Sequence, residues 1–297
     1  MNKILFLSDY FFPELIGGAE KCNESLIAKL NNEFLVEKIS CKEVTPNFIL
    51  QNKSCFFIVA NFFLLSPESK LILQDECKYL IYEHDHKYIN TNNPIHFRNF
   101  LAPSKSIINR EFYRNATKVV CQSRLHSETV YKNLLIDNIV NAAGNFWSPE
   151  DLDVLKDNIG ATKNIEYASM DTENKNKGLE ASKKFANDKG IDLFLMPFRR
   201  YKEFIETLAR VENFVFFPQW MESYSRVSVE AKILNCKIVT NRLLGAASED
   251  YFELSGQKLL DRLIENNSTL IKKITSIVNG EEVSSNFDPP KFPKISI

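Results

Sequence analysis

Residues 3–30 read KILFLSDYFFPELIGGAEKCNESLIAKL. The block Ile4–Leu7 is a short continuous apolar run, the pattern of a strand buried on both faces of a parallel sheet. A loop with a glycine pair, Gly17–Gly18, follows, and a helix is predicted from about Ala19 to Leu30. Strand, glycine-containing loop and helix in that order form the opening of a βαβ unit.

The same alternation continues along the chain. FLVEKIS, CFFIVA, YLIYE and TKVVCQS read as strands, and segments 104–115 and 123–133 as helices. A polar, turn-rich zone around 144–164 separates these from a second series. There NIEYASM, IDLFLMP, NFVFFP and KIVT are strands. KGLEASKKFANDKG is a helix stopping at Gly190, and YKEFIETLARV, SRVSVEAKILN and LIKKITSIV (Leu270–Val278) are helices. Strands alternating with helices imply parallel sheets covered on both faces. The expected fold class is therefore α/β, with two Rossmann-like doubly wound domains facing a cleft. The expected bounds are 1–146 and 147–279, with the last helix able to pack back on the first domain, and an irregular tail over 280–297. In such sheets ligands bind beyond the carboxyl ends of the strands.

Bulk properties narrow the function classes. The chain has 297 residues, a length natural for two domains. Its net charge of −1 provides no global basic field for nucleic acid or anionic lipid. The longest apolar run, CFFIVANFFLL (Cys55–Leu65), falls short of the roughly 20 residues that cross a bilayer. The apolar block at the N-terminus is too short for a signal peptide. Six cysteines without a C-x-x-C pair read as reduced thiols in a cytoplasmic protein. SKSIINREFYRN mixes Lys105, Arg110 and Arg114 with Ile107, Ile108 and Phe112. It reads as an amphipathic surface helix, with contact to anionic lipid as the alternative. Membrane contact is thus expected to be peripheral at most.

Chemistry concentrates in VFFPQWMESYSRVSVEAKILNC, residues 215–236, where seven residues separate Glu222 from Glu230. At about 100° of rotation per residue, Ser228, Lys232 and Asn235 share a face read as the solvent side. Glu230 points the other way, toward core or cleft, where a carboxylate needs a cation or several donors. Two readings satisfy it. One is an ion pair with Arg226, one turn earlier. The other is a ligand hydroxyl pair, for which ribose is suited. Arg226 itself lies in the first helical turn, where the helix dipole disfavours a cation. An anion at Ser225, Arg226 and Val227 would remove that conflict. Glu230 lies roughly 9 Å further along the helix.

ESYSRVSVEAKILNCKIVTNRLLGAASE resembles the nucleotide-sugar site of retaining glycosyltransferases of the GT-B fold, in the large family-four group. SDYFFPELIGGAE, LIYEHD and NKNKGLEASKKFA match further stretches of that family in the same order. The resemblance implies that Glu230 binds the donor ribose, that Glu222 contacts the donor sugar, and that the backbone of Ser225, Arg226 and Val227 holds the diphosphate. It implies that Gly17 and Gly18 lie near donor phosphate and acceptor, that His84 faces the sugar, and that Lys177 grips the diphosphate. The family's arginine has no clear counterpart in SMDTENKNKG; Lys175 or Arg226 could supply its charge. Gly245 would turn the chain near the nucleotide, Glu249 would cap or pair locally or sit on the donor side, and Met196–Phe198 would meet the base.

The implied activity is transfer of a sugar from a UDP- or GDP-sugar, with retention, to a glycan, lipid-linked or small-molecule acceptor. The resemblance implies no required metal or other cofactor. Glu83, His84, Asp85 and His86 crowd together, but neighbours on an extended chain point to opposite faces and cannot all ligate one ion. No nucleic-acid partner is expected, because the chain lacks a basic stripe with interleaved aromatics. The alternative is a GT-B-like protein that holds a nucleotide or glycan without turnover.

Overall fold

A computed structural model describes residues 3–197, 199–285 and 287. Two parallel sheets account for all ten strands among them. The first contains β1 (Lys3–Ser8), β2 (Leu35–Ser40), β3 (Phe56–Val59), β4 (Lys78–Tyr82), β5 (Lys118–Cys121) and β6 (Ile139–Asn141), in the order β2-β1-β3-β4-β5-β6. The second contains β7 (Ile165–Met170), β8 (Phe194–Met196), β9 (Val211–Phe216) and β10 (Lys237–Thr240), in the order β10-β9-β7-β8. The α/β class and the parallel pairing follow the reading of the apolar runs.

The helices between the strands are α1 (Gly18–Leu30), α2 (Pro46–Gln51), α3 (Pro67–Glu76), α4 (Arg110–Arg114), α5 (Arg124–Leu134) and α6 (Pro149–Asn158). They continue as α7 (Leu179–Lys189), α8 (Tyr201–Leu208), α9 (Arg226–Ile233) and α10 (Gly256–Val278). Successive residues of β1 point to opposite faces. Ile4 and Phe6 enter one core with Cys22, Leu26 and Leu30 of α1, while Leu5 and Leu7 enter the other with Phe57 and Tyr79. This two-sided burial explains the unbroken apolar run.

Helix α10 is longer than the predicted 270–278 segment and does two jobs. Leu259, Leu260 and Leu263 pack in the core of the second sheet, and Leu270, Ile274 and Ile277 pack under the first. Each such side chain contributes roughly 2 kcal/mol by leaving water, so this helix is a substantial tie between the halves. Of the expected tail, 280–285 and 287 form no helix or strand. Phe287 packs at the core of the first sheet, 5.9 Å from the Tyr131 ring.

Two expectations need correction. The 104–115 helix does not form as one element. Asn109 takes a left-handed backbone (φ 55°), which splits the segment into a short 3-10 turn over 104–106 and α4. Arg110 turns inward and donates to the carbonyls of Leu134 (2.7 Å) and Asn133 (3.1 Å). Arg114 pairs with Glu111 (2.7 Å) on the surface, so Lys105 and Arg114 face outward and Arg110 does not. The polar zone 144–164, read as turns, contains α6. Its signal was Ser148-Pro149-Glu150-Asp151: a serine cap accepting from the Asp151 amide (3.1 Å), proline at the first position and acids in the first turn. No helix among the described residues is long and apolar enough to cross a membrane.

Candidate functional site

In both sheets the strand order reverses once, between β1 and β3 and between β7 and β9. Loops leaving such a switch point at the carboxyl ends diverge and leave room for a ligand. Gly17–Gly18 follow β1, Lys177 follows β7, and Glu222 follows β9, so three of the four sequence-selected stretches leave the switch points. The two halves meet there: a Cβ added to Gly18 would lie 3.9 Å from Arg226 Cδ, and Ser123 Oγ donates to the Ser223 carbonyl (2.6 Å).

Lys177 and Glu222 form an ion pair at 2.8 Å, with Glu222 the more buried partner. Gly178 makes this possible. It takes a left-handed backbone (φ +71°), and a Cβ there would fall 1.8 Å from the Phe217 carbonyl oxygen. The turn carrying Lys177 therefore lies directly on the end of β9. Gly245 serves the same purpose from the other side, since its Cβ would fall 2.3 Å and 2.5 Å from the carbonyls of Ser223 and Glu222. Its amide donates to Glu222 O (3.0 Å).

Helix α9 starts at Arg226, with Ser225 before it in a left-handed conformation (φ 78°). Ser225 makes no side-chain cap hydrogen bond to its first amides. Val227 is half-buried against the second core. Arg226 is buried: it donates to the Phe146 carbonyl (2.9 Å) and to Asp151 (3.1 Å), and its guanidinium lies 4.8 Å from the centre of the Trp147 ring. The counter-anion for this first-turn cation is thus Asp151 of α6. Lys21 lies 3.9 Å from the same carboxylate and over the Tyr201 ring.

Glu230 is 4% exposed. Its Oε1 accepts from Trp147 Nε1 (2.8 Å) and Tyr201 Oη (3.0 Å) and lies 3.6 Å from Arg226 Nε. Among the described residues no hydrogen bond goes to Oε2. Rotation placed Glu230 away from solvent, and it is. The companion expectation fails for Ser228, which is fully buried with its hydroxyl 3.0 Å from that of Ser225. Asn235 is exposed. A wheel argument assumes one wet face, whereas α9 packs on β9, β10 and α10 and has its first turn covered by the other half.

His84 is also buried. Its Nε2 donates to Asn23 Oδ1 (2.7 Å), and Nδ1 accepts from Gln122 Nε2. Gln122 in turn accepts from Ser223 Oγ (3.3 Å), the residue beside Glu222. His84 is therefore linked to the second half through one glutamine. Nearby, His86 bonds Tyr88 (2.8 Å) and His126 donates to the Asp85 carbonyl (2.8 Å). Among the described residues no group of three His, Cys, Asp or Glu side chains is placed to hold a metal ion.

Burial lowers the proton affinity of these three histidines: His84 and His86 lie well below the ordinary value, and His126 falls to about 4. They stay neutral when folded, whereas the unfolded chain protonates them near 6.5. The unfolded state binds more protons below that value, so stability is intact above about pH 6.5 and falls as pH drops toward 4. The expected loss is about 2 kcal/mol per histidine by pH 5. Urea midpoints measured from pH 7.5 down to pH 5 check this, and an unchanged midpoint would contradict it.

The remaining selected residues are placed as follows. Lys175 is exposed, and its carbonyl accepts from the Gly178 amide (3.1 Å). Glu249 is buried and spans the seam, accepting from the Arg124 amide (2.6 Å) and Asn141 Nδ2 (3.1 Å). With Ser248 Oγ accepting from the Leu125 amide (2.9 Å), it caps α5 of the first half. Met196 is buried at the end of β8, and Phe198 lies outside the described residues. Trp147, Asp151 and Tyr201 were not selected from sequence; Trp147 and Tyr201 contact Glu230 across 83 and 29 residues of chain.

No protein-family model and no curated protein sequence matches the chain. Solved structures do. HepE from Anabaena in complex with UDP-glucose aligns over 94% of this chain and 95% of its own, at 16% identity and TM-score 0.50. An alpha-glucosyltransferase in complex with UDP-glucose and DNA aligns over 94% and 99%, at 11% identity and TM-score 0.51. A structure described as trehalose-6-phosphate from E. coli bound with UDP-2-fluoro glucose aligns over 95% and 96%, at 8% identity and TM-score 0.53. At these identities the likeness concerns the fold, which is that of GT-B glycosyltransferase structures.

Proposed function

We propose that the chain is a glycosyltransferase that moves a sugar from a nucleotide-diphospho-sugar to an acceptor, with retention of anomeric configuration. The observation that carries this reading is the state of Glu230. Three groups converge on Oε1, while no hydrogen bond among the described residues goes to Oε2. The carboxylate is therefore oriented and still has an acceptor oxygen for ribose hydroxyls. The start of α9, which has no side-chain cap, lies one turn away, and Gly18 lies against the Arg226 side chain. The diphosphate would bind at Ser225, Arg226 and Val227, as helix N-termini bind phosphate.

Lys177 would exchange Glu222 for the diphosphate and stabilise it as charge develops on leaving. Glu222, freed from that pair, would accept from sugar hydroxyls. His84, with both ring nitrogens engaged, would position the sugar rather than move a proton. The leaving diphosphate would take the acceptor's proton on the same face, and no metal is needed in this scheme. All three solved relatives above carry UDP or a UDP-sugar analogue in their descriptions, which supports a UDP-sugar over a GDP-sugar as the first donor to test.

The test is incubation with UDP- and GDP-sugars, following nucleotide release together with the thermal shift caused by each nucleotide. Glu230→Gln is expected to weaken nucleotide binding about tenfold, the loss of roughly 1.4 kcal/mol from a hydrogen bond to a charged acceptor. Unchanged affinity would sink the ribose assignment. The alternative, a binding protein without turnover, has one observation in its favour: Lys177 and Glu222 already satisfy each other. Thermal stabilisation without release, across acceptors, would select it.

A further inference from the structure

Strands β3 and β4 run side by side, with Phe56 opposite Lys78 and Phe57 opposite Tyr79. One residue before each strand, this register sets Cys55 beside Cys77. Alternation then fixes their face. Phe57, Val59, Tyr79 and Ile81 all enter one core, and Cys55 and Cys77 pack at the edge of that same core. Neighbouring strands lie about 4.8 Å apart, inside the roughly 4.4–6.8 Å that a disulfide spans between Cα atoms. Both backbones are anchored: the Cys55 amide donates to Asn52 O (2.9 Å) and the Cys77 amide to Leu73 O (3.2 Å).

These two differ from the other cysteines in access. Cys22, Cys41, Cys121 and Cys236 are buried, whereas Cys55 and Cys77 are half-buried. Both line a solvent-open cavity of about 610 Å³, together with Lys3, Lys53 and Lys78 and the acids Asp75 and Glu76. The cavity lies at the amino ends of the strands, at the edge of the sheet opposite the seam. Two of its lysines are already paired with acids, Lys53 with Glu76 (3.5 Å) and Lys3 with Glu37 (2.6 Å), so the lining is of mixed charge.

We infer that Cys55 and Cys77 form a dithiol modification site that reacts with low-molecular-weight disulfides, of which oxidised glutathione is the test case. The Cys55 thiolate attacks one sulfur of the small disulfide and expels one thiolate, leaving a mixed disulfide on Cys55. The Cys77 thiolate then attacks the Cys55 sulfur and expels the second small thiolate. Two protein thiols become one disulfide, and one small disulfide becomes two thiols. Burial holds the Cys77 thiol up at about 11, so its attack relies on the strand register that keeps the Cys55 sulfur beside it.

The experiment treats the native 297-residue chain with oxidised glutathione, quenches with acid, and counts thiols after denaturation. The expected result is a fall from six thiols to four, with peptide mapping joining Cys55 to Cys77. Cys77→Ser is expected to stop with one glutathione on Cys55, and Cys55→Ser to remain unlinked. Six thiols retained, a link between other cysteines, or a wild-type adduct that never closes would each overturn the proposal. The wild-type map decides the question even if a serine variant fails to fold.

Discussion

Gly178→Ala is expected to destabilise the fold by about 3–5 kcal/mol and to remove Lys177 from Glu222. Two effects add at this residue. A left-handed backbone with a Cβ costs about 1–2 kcal/mol by itself. The new methyl would also fall 1.8 Å from the Phe217 carbonyl oxygen, and backbone at a strand end cannot step aside as a flexible side chain can. The turn carrying Lys177 must then lift off β9. Gly190 is the internal control: its φ is +65°, yet nothing lies within 4 Å of its Cβ position. Gly190→Ala should therefore cost only the conformational part, about 1–2 kcal/mol. Urea midpoints of the two variants give the difference, and nucleotide titrations show whether Lys177 has moved. Equal losses at the two glycines would show that the contact with Phe217 carries no energy.

The legible part of this protein was what short-range pattern controls. Buried parallel strands have to be apolar on both faces, so Ile4–Leu7, Phe56–Val59 and Phe214–Phe216 stood out. Helix α6 escaped notice because Leu155 is its one buried side chain, which leaves almost no apolar stripe to find; only its capping residues marked it. The 104–115 segment misled in the opposite way. It has helical composition, but Asn109 breaks the backbone and Arg110 is used as a cap for α5.

The site divides along the same line. The sequence located Glu230 because the helical period is local. It did not locate Trp147, Asp151 or Tyr201, because their roles depend on how α6 and α8 pack around α9. Glu249 shows the limit most clearly. The sequence leaves it open between a local cap or pair and a donor-side residue, and its carboxylate caps a helix of the opposite half. A local reading cannot distinguish a carboxylate that meets a ligand from one that meets the other domain, since both require an anion where amides are unpaired.

Arg226→Met should cost about 3 kcal/mol, and the origin of that loss can be isolated. Arg226 holds Asp151 at 3.1 Å and Glu230 at 3.6 Å, with its guanidinium 9% exposed. Removing one partner of a buried pair leaves an uncompensated charge, at about 3–5 kcal/mol. Lys21, 3.9 Å from Asp151, offsets part of this, so the lower end applies. If orphaned charge is the cause, Asp151→Asn should destabilise the wild type yet restore stability to Arg226→Met. Adding Glu230→Gln should restore more, because replacing all the charges together approaches neutrality. Arg226→Lys should not rescue: an ammonium cannot bond Phe146 O and Asp151 while also stacking on Trp147. Urea melts of the single, double and triple variants supply the cycle. Simple additivity would mean that Arg226 stabilises by packing on Trp147, and that the carboxylate of Glu230 is oriented without its help.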